Sequence, residues 1–408
     1  MRNIPIFGHL DADCFYVSAE RVRDSFLKGK PVGVLGNQGA CVIAKSYEMK
    51  AAGVKTGEPI WDAVVKCPDG VYLKRDFRLY ELLSRQMLEA VRAFCPAVEY
   101  YSIDEFFFHP PAHRGQSTQQ TAEAMRDHVF RAVGVPVTVG IARTKTLAKL
   151  VSDLSKPFGA LALLDRDAER SLLDRTPVTE VSGIAARRAA RLAVYGIHTC
   201  LDLALADRKR VASLITVAGE ALWWELNGEP VLPLHTERPR HKMLSRGGSL
   251  GGATADPARV YAWLVRNLER LVEELEFHAV SAGVLSVYLV HANGAEGLWR
   301  EELVSPTDRF DLLLAAGGRC FRRAWLPPLA ASRMHVTASK LTRPGFVQRG
   351  LFDPPAEPAV SVARVKREIN DALGRFALRS GATLPLADVY RDAAQGYDIC
   401  DVRGKICF

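Results

Sequence analysis

The sequence predicts a multidomain α+β fold, and three observations carry that expectation. The chain has 408 residues, more than one ordinary core accommodates at roughly 150 residues per domain. Its apolar residues alternate between short β-rich runs and stretches with helical spacing, so that strands and helices follow one another along the chain. Two Pro-rich polar stretches, Pro230–Pro239 and Asp353–Pro358, break this patterning where linkers belong.

Taken in order, Ile6–Leu10 is a short apolar run ended by Asp11, which predicts a buried strand with a carboxylate at its tip. Phe15–Lys28 reads as a helix, Lys30–Leu35 as a strand, Gly36–Gly39 as a turn and Ala40–Ala44 as a second strand. Ser46–Ala52 is a basic helical stretch. Over Arg78–Phe94, Leu79, Leu82, Leu83, Met87 and Val91 recur at helical spacing. Glu99–Phe108 reads as two strands joined at Ser102–Glu105. Thr118–Val133 is helical, Val135–Ile141 is a strand rich in β-branched residues, and Thr144–Ser155 is an amphipathic helix stopped by Pro157. Short helices follow from Leu164 to Trp224, with tight turns near Gly183 and Gly196. A further α+β region then runs strand (Lys242–Leu250), helix (Pro257–Ala279), strand (Gly283–Val290), strand (Leu298–Leu303), helix (Asp308–Ala324) and strand (Ser332–Lys340). Val362–Phe376 is a last helix.

Composition narrows the function. At 48% hydrophobic and 25% charged residues the chain folds rather than staying disordered. A formal net charge of +8 suits a polyanionic partner, although charge alone is equally compatible with a basic protein that has none. The eight cysteines are scattered without a CxxC pair or zinc-site spacing, so buried, reduced thiols are expected. No segment approaches the ~20 apolar residues of a membrane span. The first residues hold no apolar stretch long enough for a signal peptide, and a cytoplasmic protein is the expectation.

Three carboxylates are the candidate chemistry. Asp11 lies at a strand end, and Asp104 and Glu105 lie at the bend of the hairpin, beside Ile103, Phe106, Phe107 and Phe108. Charge next to so apolar a run is costly to bury unpaired. Hard oxygen donors of this kind suit Mg²⁺, and two such ions about 3.5–4 Å apart stabilise both oxygens of an in-line phosphoryl displacement. The spacing by itself equally describes a turn whose acids face solvent.

A resemblance tips the balance. Leu10-Asp-Ala-Asp-Cys-Phe-Tyr-Val-Ser-Ala-Glu20 is similar to the D-x-x-x-F-[FY]-A-S-x-E signature of Y-family, lesion-bypass DNA polymerases, with Val17 in the small-residue position. Ser102-Ile-Asp-Glu105 matches the family's S-I-D-E. Ile43–Lys50 and Gly53–Gly57 resemble its fingers segment. Gly140–Lys149 and Ser155-Lys-Pro157 match its G-I-[AS]-x-[TN]-K-x-[LF]-A-K and K-P elements. The ordered set, spread over Ile4 to Leu341, is far more specific than any one motif. The fingers segment and the tail look closest to the UmuC-type catalytic subunit of bacterial polymerase V.

The resemblance implies a ferredoxin-like palm with small fingers, a helical thumb and a C-terminal α+β little finger. The boundaries expected are 1–30 and 78–164 for the palm, 31–77 for the fingers, 165–229 for the thumb, 230–241 for a linker, 242–341 for the little finger and 342–408 for a tail. It implies template-directed, low-fidelity DNA synthesis past damaged bases. Asp11, Asp104 and Glu105, helped by the Ala12 carbonyl, would hold two Mg²⁺ ions. Tyr16 would be the steric gate against a 2′-OH, and Tyr47, Lys50 and Lys156 would contact the dNTP triphosphate. Asp13 is no ligand in the family pattern and reads as solvated or capping. Lys45 and Lys149 are either nucleic-acid contacts or ordinary solvated helix-face lysines.

The region around Gly183 resembles the thumb's helix-hairpin-helix, which binds duplex backbone through turn amides. Here Ala185 replaces the second glycine, so the hairpin is either a weak DNA contact or structural. Ser245–Leu250 resembles the first little-finger strand, and Arg246, with Arg333 and Lys340, could track template phosphates or be surface charges. Gln348-Arg-Gly-Leu351-Phe352 resembles the sliding-clamp peptide Q-x-x-L-F. The implied partners are primer-template DNA, dNTP and the clamp, and UmuC-type relatives also work with accessory subunits and a recombinase filament. The alternative is a catalytically inert DNA- and clamp-binding scaffold of a mutagenesis complex.

Overall fold

A computed structural model describes residues 6–36, 41–111, 115–237, 240–343, 362–374 and 376–390. These residues fold as two compact units, one within residues 6–237 and the other within 240–390.

The first unit is built on a five-stranded sheet. Its central strand is β1 (Phe7–Ala12), followed by α1 (Phe15–Arg23). A small three-stranded sheet comes next: β2 (Val32–Leu35) and β3 (Val42–Lys45) pair antiparallel, α2 (Tyr47–Ala51) and α3 (Ile60–Lys66) follow, and β4 (Val71–Lys74) returns parallel to β2. The chain re-enters the large sheet through α4 (Phe77–Phe94), β5 (Val98–Tyr100), β6 (Glu105–Phe108), α5 (Thr118–Val133), β7 (Val137–Ala142), α6 (Lys145–Leu154) and β8 (Ala160–Leu163). The sheet order is β5-β6-β1-β7-β8. Counting β1, β5, β6 and β7 as first to fourth, their spatial order from β7 is fourth, first, third, second, which is the ferredoxin-like arrangement that the resemblance implied. Helices α7 (Arg166–Arg175), α8 (Ala186–Ala193), α9 (Cys200–Leu205) and α10 (Arg208–Leu226) form the helical part. Leu173, Val178, Ile184, Leu192, Leu203 and Leu226 from this part share one core with Leu147, Leu150 and Val151 of α6.

One glycine sets the depth at which α6 lies on the sheet. A Cβ at Gly140 of β7 would sit 2.4 Å from the Ala148 carbonyl oxygen and 2.5 Å from the Ser152 nitrogen, both backbone atoms of α6. Only a residue without a side chain lets the helix approach this closely. The approach brings Ser152 onto His9 of the central strand, where Ser152 Oγ and His9 Nδ1 are 2.6 Å apart. Thr144 caps α6 by accepting from Leu147 N at 3.3 Å, which fixes the start of the helix where the amphipathic pattern places it.

The second unit has the order β9 (Met243–Thr254), α11 (Pro257–Phe277), β10 (Ala282–His291), β11 (Glu296–Thr307), α12 (Phe310–Ala324) and β12 (Ala331–Ser339). Its antiparallel sheet runs β11-β10-β12-β9, and α11 and α12 share its core. Strand alternation puts Leu285, Val287, Leu289, Met334, Val336 and Ala338 into that core. After α13 (Val362–Leu373), a 3₁₀ turn at Gly381–Leu386 and α14 (Ala387–Tyr390) add Leu386 and Val389 to it. Arg259 holds this segment through Asp388 at 2.8 Å.

Several boundaries differ from expectation. Asp11 lies inside β1, hydrogen-bonded on both sides by β6 and β7, rather than at a strand tip. The helix expected over Phe15–Lys28 stops at Arg23, because Asp24 accepts from Phe26 N and turns the chain into a 3₁₀ segment. Short strands β4 and β8 and helix α3 carry too few residues to show a period in the sequence. The six described cysteines are unpaired thiols, as expected.

Gly140→Ala forces α6 off the sheet. It should lower stability by about 1–3 kcal/mol in chemical denaturation of the full chain, whereas alanine at Gly318, within α12, where an added Cβ would meet only the Arg322 guanidinium at 3.7 Å, should not.

Candidate active site

The register of the large sheet writes the site in rows. Residues directly opposite in antiparallel strands project to the same face. One row is Glu105, Asp11 and Thr138; the next is Glu99, Phe107, His9 and Gly140. Helix α6 lies over the second row and leaves the first open at its end. Asp104 sits one residue before β6, and its carbonyl accepts from Ala12 N at 3.0 Å. Its carboxylate accepts from Ser102 Oγ at 2.6 Å. The three acids expected at the site therefore meet. Asp11 is buried, and Asp104 and Glu105 are close enough to raise its proton affinity further.

Such a cluster must be neutralised, and α6 and the turn after it supply two ammonium groups. Lys149 Nζ is bound to Glu105 and lies 3.6 Å from Asp153. Lys156 Nζ is 2.9 Å from Asp11 and 2.9 Å from Asp153. Burial works against both lysines, but Glu105 and Asp153 hold Lys149, and Asp11 and Asp153 hold Lys156, above the ordinary lysine value. Burial also pushes Asp11 and Asp104 upward, and Lys156 opposes it in each. His9 is held neutral, well below its usual range, by burial and then by Lys149, Lys156 and Lys145. Its Nε2 is 3.9 Å from Glu105, and donor atoms of His9, Asp11 and Glu105 lie within 4.8 Å of one another.

Two expectations change here. Lys149 is not a solvated helix-face lysine; its ammonium is part-buried on Glu105. Asp13, read as solvated or capping, is buried and accepts from Thr138 Oγ1 at 3.0 Å and from Phe158 N at 2.7 Å. The Tyr47 hydroxyl lies near it and works to lower its pKa. Asp13 thus joins strand β7 to the turn that carries Lys156. Its pKa is raised by burial, against the pull of these donors.

The remaining residues take distinct places. Tyr16 stacks on Tyr80 with ring centroids 4.6 Å apart and meets Phe77 edge-on at 5.7 Å. Lys50 is exposed on α2, and Lys45 is depressed first by burial and then by Lys50. Gly183 has φ +95°, ahead of α8, and its carbonyl accepts from Arg188 at 2.6 Å. In the second unit Arg246 corrects the expectation of a surface-tracking cation. It shares a strand face with the buried Leu244 and Leu250, and its guanidinium is held by Glu274 of α11. Arg333, one strand over and of opposite parity to the buried Met334, is exposed. Gln348, Leu351 and Phe352 lie outside the described residues.

Comparison with known proteins agrees with this architecture. Residues 10–153 match the impB/mucB/samB family, and residues 241–351 match the C-terminal domain of the same family. Protein UmuC of Salmonella typhimurium is 30% identical over 370 residues, which span 87% of this chain and 88% of that protein. DNA polymerase IV 1 of Bacillus subtilis is 29% identical, over 93% of each chain. The solved structure of a Y-family DNA polymerase chimera (Dbh-Dpo4(243-245)-Dbh) has a TM-score of 0.70 at 20% identity, covering 83% of this chain and 99% of that one. The fold is thus that of a Y-family polymerase. The chain belongs to the impB/mucB/samB family of lesion-bypass DNA polymerases. Among the described residues no helix is long and apolar enough to cross a membrane.

Asp13→Ala strands two donors, Thr138 Oγ1 and Phe158 N, and should cost about 1–3 kcal/mol in thermal or chemical unfolding.

Proposed function

We propose that this chain performs template-directed, low-fidelity DNA synthesis across damaged bases, joining a dNTP to a primer 3′-OH at a two-magnesium site. The observation that carries the reading is the convergence of Asp11 and Glu105 on one sheet face, with Asp104 beside them just before β6, in a surrounding that already draws two cations. The donor set fits a hard divalent ion: the carboxylate oxygens of the buried Asp11 and the part-buried Glu105 lie within a few ångströms of each other, with Asp104 close enough to add to their charge. Asp11, Asp104 and Glu105, with the Ala12 carbonyl, would hold the metal. Bound there, two Mg²⁺ ions stabilise the attacking and leaving oxygens of the displacement.

The other assignments follow from what each group can do. Lys156 and the exposed Lys50 supply positive charge for the triphosphate, and the Tyr47 hydroxyl orients it. The Tyr16 ring, braced by Tyr80 and Phe77, is a rigid plate under the sugar that leaves no room for a 2′-OH. Gly183 and the basic face of α8 steady the duplex backbone, and the exposed Arg333 meets template phosphates. Gln348, Leu351 and Phe352 dock a sliding clamp, a reading that stands on sequence. Accessory subunits are a reading shared with UmuC-named relatives.

Asp104→Ala should reduce Mg²⁺-dependent primer extension at least about a hundredfold, with the folded state intact by circular dichroism; extension at the wild-type rate would sink the reading. Tyr16→Ala should raise ribonucleotide incorporation by roughly a hundredfold while leaving dNTP use measurable.

A further inference from the structure

Asp153 has no role in the account so far, yet it lies between the two lysines that hold the site's carboxylates. One of its oxygens is 2.9 Å from Lys156 Nζ and the other 3.6 Å from Lys149 Nζ. Lys156 is shared evenly, at 2.9 Å from Asp11 and 2.9 Å from Asp153. The two partners differ in setting. The Asp153 side chain is 29% exposed and the Asp11 side chain 8%, so Asp153 stands on the solvent side of the ammonium. They also differ in tether, because Asp153 lies three residues before Lys156, whereas Asp11 belongs to the central strand.

We propose that Lys156 is an internal counterion that occupies the Asp11 end of the metal site, and that Asp153 is the positioning residue that retains it when a divalent ion takes its place. The inference rests on the two-metal reading above. A carboxylate oxygen engaged by an ammonium is not free to coordinate, and a divalent ion repels an ammonium a few ångströms away in a poorly solvated site. Lys156 therefore opposes metal binding when no nucleotide is present. Moving off Asp11, it keeps Asp153 and is carried toward solvent, where a triphosphate arrives. With nucleotide bound the ammonium has phosphate oxygens as partners and its opposition is lifted. One side chain thereby couples the two ligands, each favouring the other. Lys149 stays on Glu105 throughout and trims the charge of the remaining acid.

The test is Mn²⁺ binding to the full-length protein, followed by the electron paramagnetic resonance signal of free Mn²⁺, with and without a dNTP. Lys156→Met should tighten Mn²⁺ binding in the absence of nucleotide by about five- to tenfold and shrink the further gain that dNTP gives the wild type. Lys156→Gln, polar and suited to a half-exposed position, should do the same. Asp153→Asn should weaken Mn²⁺ binding alone by about threefold or more, since Lys156 then has only Asp11. Most of that loss should vanish in the Lys156→Met background. Unchanged affinity in both Lys156 variants, or an equal Asp153→Asn loss in both backgrounds, overturns the proposal while leaving the two-metal reading standing. Mn²⁺ binding that survives Asp11→Asn overturns that reading, and this inference with it.

Discussion

Carboxylates buried within one another's field cannot stay ionised without positive charge beside them, and the first unit is organised around that constraint. Asp11 and Glu105 face each other across two paired strands, with Asp104 at the edge. Two lysines meet them from one short stretch of chain, Lys149 on α6 and Lys156 just beyond its end. Without that helix the sheet would carry uncompensated like charges, a costlier state than an exposed ion pair lost at the surface. Charge, packing and chemistry are here the same problem: the features that make the cluster tolerable in the folded chain are those that make it attractive to a cation.

The solution is mechanical as well as electrostatic. Helix α6 must lie close enough for its lysine to reach the sheet, and Gly140 provides that depth. The neutral His9 then fills the space beneath, bonded to Ser152 on one side and facing Glu105 on the other. On the far side of the site Asp13 closes the turn after α6 by taking the Phe158 amide, so Lys156 is fixed from both directions along the chain. Tyr47 of α2 lies close enough to the same carboxylate for each to shift the other's pKa.

Much of this was legible in the amino-acid sequence, and the omissions have physical causes. The strand carrying Asp11 and the acidic hairpin stand out as apolar runs interrupted by acids, and the helix over Thr144–Ser155 has an amphipathic period long enough to read. The ordered motifs bring Asp11, Asp104 and Glu105 together by analogy, and the sheet register supplies the reason. Asp13 was misread because an acid two residues past a strand usually faces solvent; its burial depends on the Phe158 amide, 145 residues away. Lys149 was ambiguous because a lysine on an amphipathic helix gives no sign of which neighbour it meets. Arg246 was misplaced for a different reason. Its strand contains Gly247 and Gly248, which blur the alternation, and only pairing with β12 shows that it shares a face with Leu244. Ser152 and Asp153 carry no signal of their own, since their importance comes wholly from the position of α6.

The same helix also governs where the chain leaves the palm. Lys145 stands in the first turn of α6, a position where the helix dipole disfavours positive charge. It is kept there by Glu99, 2.7 Å away on the neighbouring row of the sheet, and by the Phe107 ring beneath it. Glu99 in turn accepts from the His235 amide at 2.8 Å, and Lys145 donates to the Pro233 carbonyl at 3.2 Å. Two residues after Thr144, the Thr146 amide donates to Glu225, whose other oxygen accepts from Val231 N and Leu232 N. The start of the linker is therefore held by two buried carboxylates, both of which also bind the N-terminal turn of α6. Because the same helix carries Lys149 at its middle and Asp153 in its last turn, a single element spans from the linker's anchor to the acidic cluster. A displacement of the linker's first residues would strain either these bonds or the seat of α6 on Gly140, so the position of that helix and the path of residues 231–235 are set by the same two buried carboxylates.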